Sequence, residues 1–92
     1  MAGFEWDEAK AIANLAKHKV PFPYAVRAFS DPRKIEIQDR RYEYGEERFK
    51  IIAAIEEFLV AVIFTRRDET TRVISARQAS REERAQYRAV RS

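Results

Sequence analysis

The chain has 92 residues, enough to bury one hydrophobic core but not a second. It contains no cysteine and one histidine, which excludes disulfides, cysteine-bound zinc and any metal site built from several histidines. The net charge is +3, apolar residues make up 46% of the sequence, and no apolar run is long enough to cross a bilayer. We therefore expect a single domain over residues 1–92 that resides in the cytoplasm and needs no cofactor.

The positive charge is concentrated in the last third of the chain. Residues 66–92 contain eight arginines and no lysine against four acidic residues, whereas residues 1–46 hold eight basic and eight acidic residues. Arginine binds phosphate through two parallel hydrogen bonds, which lysine cannot do. This segment therefore forms either an anion-binding surface or a solvated arginine-rich face, and composition does not choose between them.

Two helices are predicted in the N-terminal part. Asp7 is a suitable N-cap for a helix that runs to about Lys17. Its apolar residues recur at helical spacing and predict an inward-facing stripe made of Ala9, Ile12, Ala13, Leu15 and Ala16. A second, short helix is predicted to start at Pro23, with an apolar face made of Phe22, Ala25, Val26 and Phe29. The sequence SDP at 30–32 ends it.

From Lys34 onward the pattern alternates with a period of two, which is typical of strands. KIEIQD predicts a half-buried strand, residues 40–47 a polar connection, and RFKIIAAI the next strand. FLVAVIFT is apolar on both faces and predicts a central strand, and TRVISA completes the series. The connections are too short for parallel crossovers, so we expect about four antiparallel strands.

The final segment predicts a C-terminal helix that starts with a capping box, in which Ser80 is the N-cap and Glu83 lies three residues later. Its arginines are spaced three, four and three residues apart and lie along one face: Arg81, Arg84, Arg88 and Arg91. The helix has few apolar residues, so we expect it to be peripheral. The fold class is therefore α+β, with two N-terminal helices packed on an antiparallel sheet and a C-terminal helix.

Short motifs in a fixed order resemble the BrnT family. They are FEWD at 4–7, KH at 17–18 followed by Val20, FSDP at 29–32, GEER at 45–48, T-x-R at 65–67, and RVISARQA at 72–79 followed by ER and Tyr87. The family consists of ribonuclease toxins of bacterial type II toxin-antitoxin systems, with a fold like that of RelE-type toxins. The resemblance implies metal-independent RNA cleavage that inhibits translation. It also implies neutralisation by a BrnA-like antitoxin with a ribbon-helix-helix DNA-binding part, in a heterotetramer or larger complex.

RNA cleavage through the 2′-hydroxyl without a metal needs a base, an acid and cations that stabilise the extra charge on the phosphate. Strand parity puts Thr65 and Arg67 on one face of their strand, and Val73, Ser75 and Arg77 on one face of theirs. If the register superimposes these faces, Arg67 and Arg77 flank one patch. Arg72 has the opposite parity and is expected to be solvated or structural. Arg48, on the preceding strand, would extend the patch together with Glu46.

Three further residues have competing interpretations. His18 is the natural candidate for proton transfer near neutral pH, but a histidine at a helix C-terminus also interacts favourably with the helix dipole. Glu46 could act as a base oriented by Arg48, or the two could form a surface ion pair. Tyr87 could stack on a base or donate a proton, although an anchoring role against the sheet is the stronger prediction.

The helical arginines, with Tyr87, predict a track for RNA phosphates or a docking surface for an acidic segment of the antitoxin. A different class of function also fits the same basic surface: a nucleic-acid-binding or protein-interaction module without catalytic activity. Such a module would bind RNA or DNA in a salt-dependent way and would not cut it.

Overall fold

A computed structural model describes residues 3–39 and 47–90 of the protein. The elements in chain order are β1 (Gly3–Trp6), α1 (Glu8–His18), α2 (Phe22–Ala25), a 3-10 helix (Val26–Ser30), β2 (Ile35–Asp39), β3 (Arg48–Ile55), β4 (Phe58–Arg67), β5 (Thr70–Gln78) and α3 (Arg81–Ala89). They form an α+β fold around a mixed sheet in the order β1-β5-β4-β3-β2. No helix within the described part of the chain is long and apolar enough to cross a membrane.

Four strands of the sheet were predicted from the sequence, and the structure contains one more. Strands β2 to β5 form the expected antiparallel meander. The expectation of about four strands, all antiparallel, is wrong in detail, because residues Gly3–Trp6 add a fifth strand that pairs in parallel with β5. This parallel pairing is possible because almost the whole domain connects β1 to β5, well over the dozen residues that a crossover needs.

One face of the sheet packs against the N-terminal helices and forms the core. Strand β4 is buried from Leu59 to Thr65, as its apolar sequence predicts for a central strand. Phe29 from the 3-10 helix packs on Phe64 with ring centroids 4.9 Å apart, and Phe4 from β1 packs on Phe29 at 5.1 Å. This aromatic series joins β1 and the 3-10 helix to the centre of the sheet, where burial of the Phe64 ring contributes about 2 kcal/mol or more.

Helix α1 begins and ends where the sequence predicts, but it faces the opposite way. The Asp7 carboxylate accepts a hydrogen bond from the Lys10 N–H at 3.0 Å, and the helix stops where Lys19 adopts a left-handed conformation with φ 65°. The predicted inward stripe is wrong, because all five of its members are exposed: Ala9, Ile12, Ala13, Leu15 and Ala16. The side that meets the sheet carries Ala11, Asn14 and His18 instead.

Asn14 explains this orientation. Strand β1 pairs with β5 only as far as Val73, so the outer edge of β5 has no strand partner at Ala76. The Asn14 amide completes this edge by donating to the Ala76 carbonyl at 2.8 Å and accepting from the Ala76 N–H at 3.1 Å. It also donates to the Val20 carbonyl at 3.0 Å. A buried edge with unpaired main-chain groups is costly, and α1 is oriented so that Asn14 satisfies it.

The second helix is confirmed in position but is short, because four α-helical residues continue directly into the 3-10 helix. Its predicted apolar face is correct, with Phe22 and Ala25 buried and Val26 and Phe29 half-buried. The predicted capping box of α3 is also correct. The Ser80 hydroxyl accepts from the Glu83 N–H at 3.2 Å, and the Glu83 carboxylate accepts from the Ser80 N–H at 2.8 Å.

Candidate functional site

The face of the sheet opposite the core carries five cationic side chains, which we call the cationic face: Arg48, Lys50, Arg67, Arg72 and Arg77. Residues paired across neighbouring strands project to the same side of a sheet. Lys50 pairs with Ile63 and Ile63 with Ser75, while Ala61 pairs with Arg77 and Thr65 with Arg72. The core residues Val62 and Phe64 alternate with these positions and point the other way.

A β-bulge in β5 changes the predicted parity of that strand. Ile63 pairs with Ser75 but the next residue, Phe64, pairs with Val73, so Ile74 is an extra residue in β5. The expectation that Val73 shares a face with Ser75 is therefore wrong, since Val73 is buried in the core. The expectation that Arg72 lies opposite Arg77 is wrong for the same reason. Arg72 points to the cationic face, where it bonds Glu5 at 3.1 Å.

Arg67 and Arg77 share the cationic face but lie at opposite ends of it. Arg77 pairs with Ala61, which is six residues before Arg67 on β4. At about 3.3 Å per residue, the two positions are separated by roughly 20 Å along the strand. They can therefore contact different phosphates of one RNA strand but not the same phosphate. Ser75 lies on this face one step from Arg77, as the pairing of Ile63 with Ser75 requires.

Arg48 lies at the same end of the cationic face as Arg67 and Arg72. Arg48 is the first residue of β3 and pairs with Asp39 of β2. The following residue, Phe49, pairs with Phe64 of β4. Thr65 is buried at this end, and its hydroxyl donates to the Glu47 carbonyl at 2.5 Å. The predicted site residue Glu46 precedes this strand and lies outside the described residues.

The other end of the cationic face is covered by α3 through the carboxylate of Glu83. Arg77 donates to both oxygens of Glu83, at 2.8 and 2.9 Å, and Lys50 donates at 2.7 Å. Glu83 is buried, with 5% of its surface exposed. The hydrogen bonds from Arg77 hold the pKa of the Glu83 carboxyl well below its usual range, with further lowering from Lys50 and the Ser80 N–H, although burial opposes them.

A second polar contact anchors the far end of α3. The Tyr87 hydroxyl donates to the Asp31 carboxylate at 2.6 Å. Asp31 also accepts from the N–H groups of Ala54 at 2.8 Å and Arg33 at 2.9 Å. Burial raises the pKa of Asp31, but these three hydrogen bonds, led by that from Tyr87, lower it by more. Tyr87 thus has the anchoring position that the sequence favours for it.

The remaining predicted site residues lie away from the Arg48 end of the cationic face. His18 is half-buried in the last turn of α1, beside the outer edge of β5, and its imidazole makes no hydrogen bond or ion pair to the described residues. On α3, Arg81 and Arg88 are exposed and Arg84 is half-buried. Arg91 lies outside the described residues.

Two residues of the cationic face, Lys50 and Arg72, were not predicted from the sequence to lie on it. Lys50 has the same strand parity as Arg48 in RFKII, so the alternation already placed it beside the candidate arginines. Arg72 was missed because the bulge at Ile74 has no marker such as glycine in the sequence. Glu83 was recognised as a cap, but nothing local indicated that it also binds two cations from different strands.

The fold and the site define a small α+β domain with basic side chains along one side of its sheet, an arrangement compatible with contact to nucleic-acid phosphates. The comparison with known families identifies it more closely. The family model described as "Ribonuclease toxin, BrnT, of type II toxin-antitoxin system" matches residues 6–83, and the chain belongs to this family. No curated protein matches the sequence. Family membership makes the protein a ribonuclease toxin that acts on RNA and pairs with an antitoxin protein.

Proposed function

We propose that the protein is a metal-independent endoribonuclease that binds RNA phosphates on the cationic face and cuts the chain through its 2′-hydroxyl. The observation that supports this most is the common orientation of Arg48, Arg67 and Arg77 in a member of a ribonuclease toxin family. Cleavage of cytoplasmic RNA would inhibit translation. A BrnA-like ribbon-helix-helix antitoxin, in a heterotetramer or larger complex, would neutralise the toxin.

The proposed reaction needs one proton to leave the 2′-hydroxyl and one to reach the departing 5′-oxygen. A base removes the first as the 2′-oxygen bonds to phosphorus, and an acid supplies the second as the phosphorus–O5′ bond breaks. Glu46 is the proposed proton-transfer group at the Arg48 end of the face. His18 lies beside the outer edge of β5, away from that end, and would serve only a phosphate bound elsewhere. The arginines stabilise the additional negative charge on the phosphate oxygens while both bonds are partly formed.

The Arg48 end of the face is the better place for the scissile phosphate. Arg77 already binds both oxygens of Glu83, so its guanidinium is committed to α3 in this conformation. We assign Arg48 and Arg67 to the reacting phosphate and Arg77 to a neighbouring part of the strand. The exposed α3 arginines, Arg81 and Arg88, together with Arg84, Arg91 and the ring of Tyr87, would extend the RNA contact or bind the antitoxin.

Two adjacent arginines provide a matched test. Arg67 points to the cationic face, whereas Arg66 points to the core side, binds Glu36 at 2.9 and 3.0 Å and covers the rings of Phe49 and Phe64. The partner-free toxin should cut RNA in the presence of EDTA. Arg67→Ala should reduce the cleavage rate by about 100-fold, the usual effect of losing one charge-stabilising donor.

Arg66→Ala removes the same charge from the neighbouring position and should cut at close to the wild-type rate while unfolding more easily. Both rates are measured well below the melting temperature of the weaker variant. Full activity of Arg67→Ala would contradict the assigned phosphate contact. Loss of wild-type cleavage in EDTA would contradict the metal-independent mechanism, and binding of RNA without any cleavage would favour the non-catalytic module.

A further inference from the structure

Helix α1 presents an apolar face to solvent. Ile12 is 63% exposed and Leu15 is 45% exposed, while three alanines on the same side of the helix are also exposed: Ala9, Ala13 and Ala16. Large aliphatic side chains three residues apart on an 11-residue helix form one continuous strip. A contiguous apolar strip on a domain this small indicates an interaction surface more than a random exposure.

A groove lies directly beside this strip. It has a volume of about 200 Å³ and is bordered mainly by apolar residues of β1, α1 and α2, among them Trp6, Ile12, Leu15 and Phe22, and by one acidic residue, Glu8. These apolar side chains leave a space that can accept one large apolar side chain. Anchor residues that fill such pockets carry much of the binding energy of protein interfaces.

The charges around the strip indicate what kind of segment fits it. Two exposed lysines, Lys10 and Lys17, lie along one side of the strip and Lys19 lies at its C-terminal end, whereas the one exposed acidic residue of α1, Glu8, borders the groove. A second copy of this chain packed on the strip would bring the same excess of lysines against itself. An apolar segment bordered by acidic residues would instead meet opposite charge.

We infer that the exposed face of α1 is the docking surface for an amphipathic helix of the antitoxin, with acidic residues beside its apolar stripe. The inference rests on the proposed pairing of this toxin with an antitoxin. The apolar stripe of that helix would cover Ile12 and Leu15, with one side chain in the groove. Because α1 packs on the edge and core side of the sheet, this surface is separate from the cationic face.

The test uses the antitoxin encoded with this toxin, purified separately, and measures its dissociation constant by titration calorimetry. Ile12→Glu combined with Leu15→Glu should weaken binding by at least about 30-fold, the size expected for interface anchors. Both side chains are exposed and glutamate is a good helix former, so the variant should keep the wild-type circular dichroism spectrum and melting temperature. Gln86→Glu combined with Ala89→Glu adds the same two charges at exposed positions three residues apart on α3, and this matched control should bind the antitoxin nearly as well as wild type.

Unchanged affinity in the α1 variant, or a loss confined to the α3 variant, overturns the assignment. A wild-type toxin that dimerises alone, and becomes monomeric in the α1 variant, overturns it in favour of a second copy. The double variant Lys10→Glu, Lys17→Glu reverses the charge beside the strip. It should associate with the antitoxin more slowly than the wild type, and by a larger factor at low salt than at high salt. Equal association rates for the variant and the wild type would overturn the acidic partner.

RNA cleavage, measured in parallel, separates this inference from the proposed function. The α1 variant should cut RNA at the wild-type rate. If no form of the toxin cuts RNA while the α1 variant alone loses the antitoxin, the docking surface stands and the proposed nuclease mechanism fails.

Discussion

The Glu83 carboxylate and the Arg77 guanidinium form a two-bond fork that joins α3 to β5, with N–O distances of 2.8 and 2.9 Å. Lys50 adds a third bond from β3. One buried carboxylate thus links a helix to two strands, and the helix that the sequence presented as peripheral is held by charged hydrogen bonds. Such bonds are stronger than neutral ones and leave costly unpaired groups when they are broken.

Replacement of Glu83 by glutamine should destabilise the protein by about 2 kcal/mol in the free energy of unfolding. Breaking a fully buried pair costs about 3–5 kcal/mol, but the Arg77 and Lys50 side chains are 33% and 22% exposed, so water compensates in part. Urea denaturation measures the change. Glu82→Gln, at an exposed position of the same helical turn, should cost less than about 0.5 kcal/mol, and equal effects of the two substitutions would contradict the role of the fork.

The same carboxylate should make stability dependent on pH in the acid range. Because hydrogen bonds from Arg77 hold the folded pKa of Glu83 well below its unfolded value, the unfolded chain takes up the proton first as the pH falls. The contribution is complete above the unfolded pKa of about 4.3 and is lost progressively below it. The pKa values of Asp31 and Glu36 are also lowered by the hydrogen bonds that these carboxylates accept, so both groups add to the same pH dependence.

This dependence is measured as the urea midpoint at successive pH values between neutrality and pH 2. The wild-type midpoint should fall below about pH 4.3, and the fall should be shallower in Glu83→Gln, which has no carboxyl to titrate at this position. Parallel profiles for the two proteins would show that Glu83 does not carry the effect.

The hydroxyl of Tyr87 should stabilise α3 through Asp31, and a double-mutant cycle isolates that contribution. Tyr87→Phe removes the donor and Asp31→Asn removes the charge of the acceptor, so the two losses should not add. We expect a coupling free energy of about 1–2 kcal/mol, because the bond is short and its acceptor is charged. Amide exchange in α3 should accelerate in Tyr87→Phe, and additive losses with unchanged exchange would argue against the tether.

Much of the fold follows from local patterns in the sequence. Strands β2 to β5 alternate apolar and polar residues or are apolar throughout, and tight turns separate the last three, so their antiparallel order is predictable. The start of α3 is equally predictable, because Ser80 and Glu83 cap each other within four residues. These elements are specified by neighbours in the chain, which a single sequence displays.

The features that sequence patterns missed depend on distant partners. Strand β1 pairs with residues nearly seventy positions away, and an extra residue at Ile74 reverses the parity of β5 without a glycine to mark it. For α1 the apolar pattern located a face correctly but not what covers it, since Ile12 and Leu15 point away from their own sheet. An amphipathic pattern identifies the apolar face of a helix, but it does not show whether that face packs on its own chain or on another protein.

Asn14 is the residue whose loss should be most damaging in the N-terminal half. Its amide satisfies the N–H and carbonyl of Ala76 and the carbonyl of Val20, so Asn14→Ala leaves three buried main-chain groups unpaired. At about 1 kcal/mol or more for each, we expect a loss of about 3 kcal/mol. Lys17→Ala, an exposed substitution on the same helix, should change stability by less than about 0.5 kcal/mol.

Asn14→Asp distinguishes hydrogen bonding from simple filling of space. Aspartate has nearly the same shape but, when ionised, it has no donor and places a negative charge against the Val20 and Ala76 carbonyl oxygens. At pH 7 the variant should be less stable than Asn14→Ala, because a charge is buried without a partner. Its stability relative to wild type should recover as the pH is lowered toward 5, since burial raises the pKa of such a carboxyl and protonation restores one donor. An Asn14→Asp protein as stable as wild type at neutral pH would show that α1 does not depend on these bonds to complete the edge of β5.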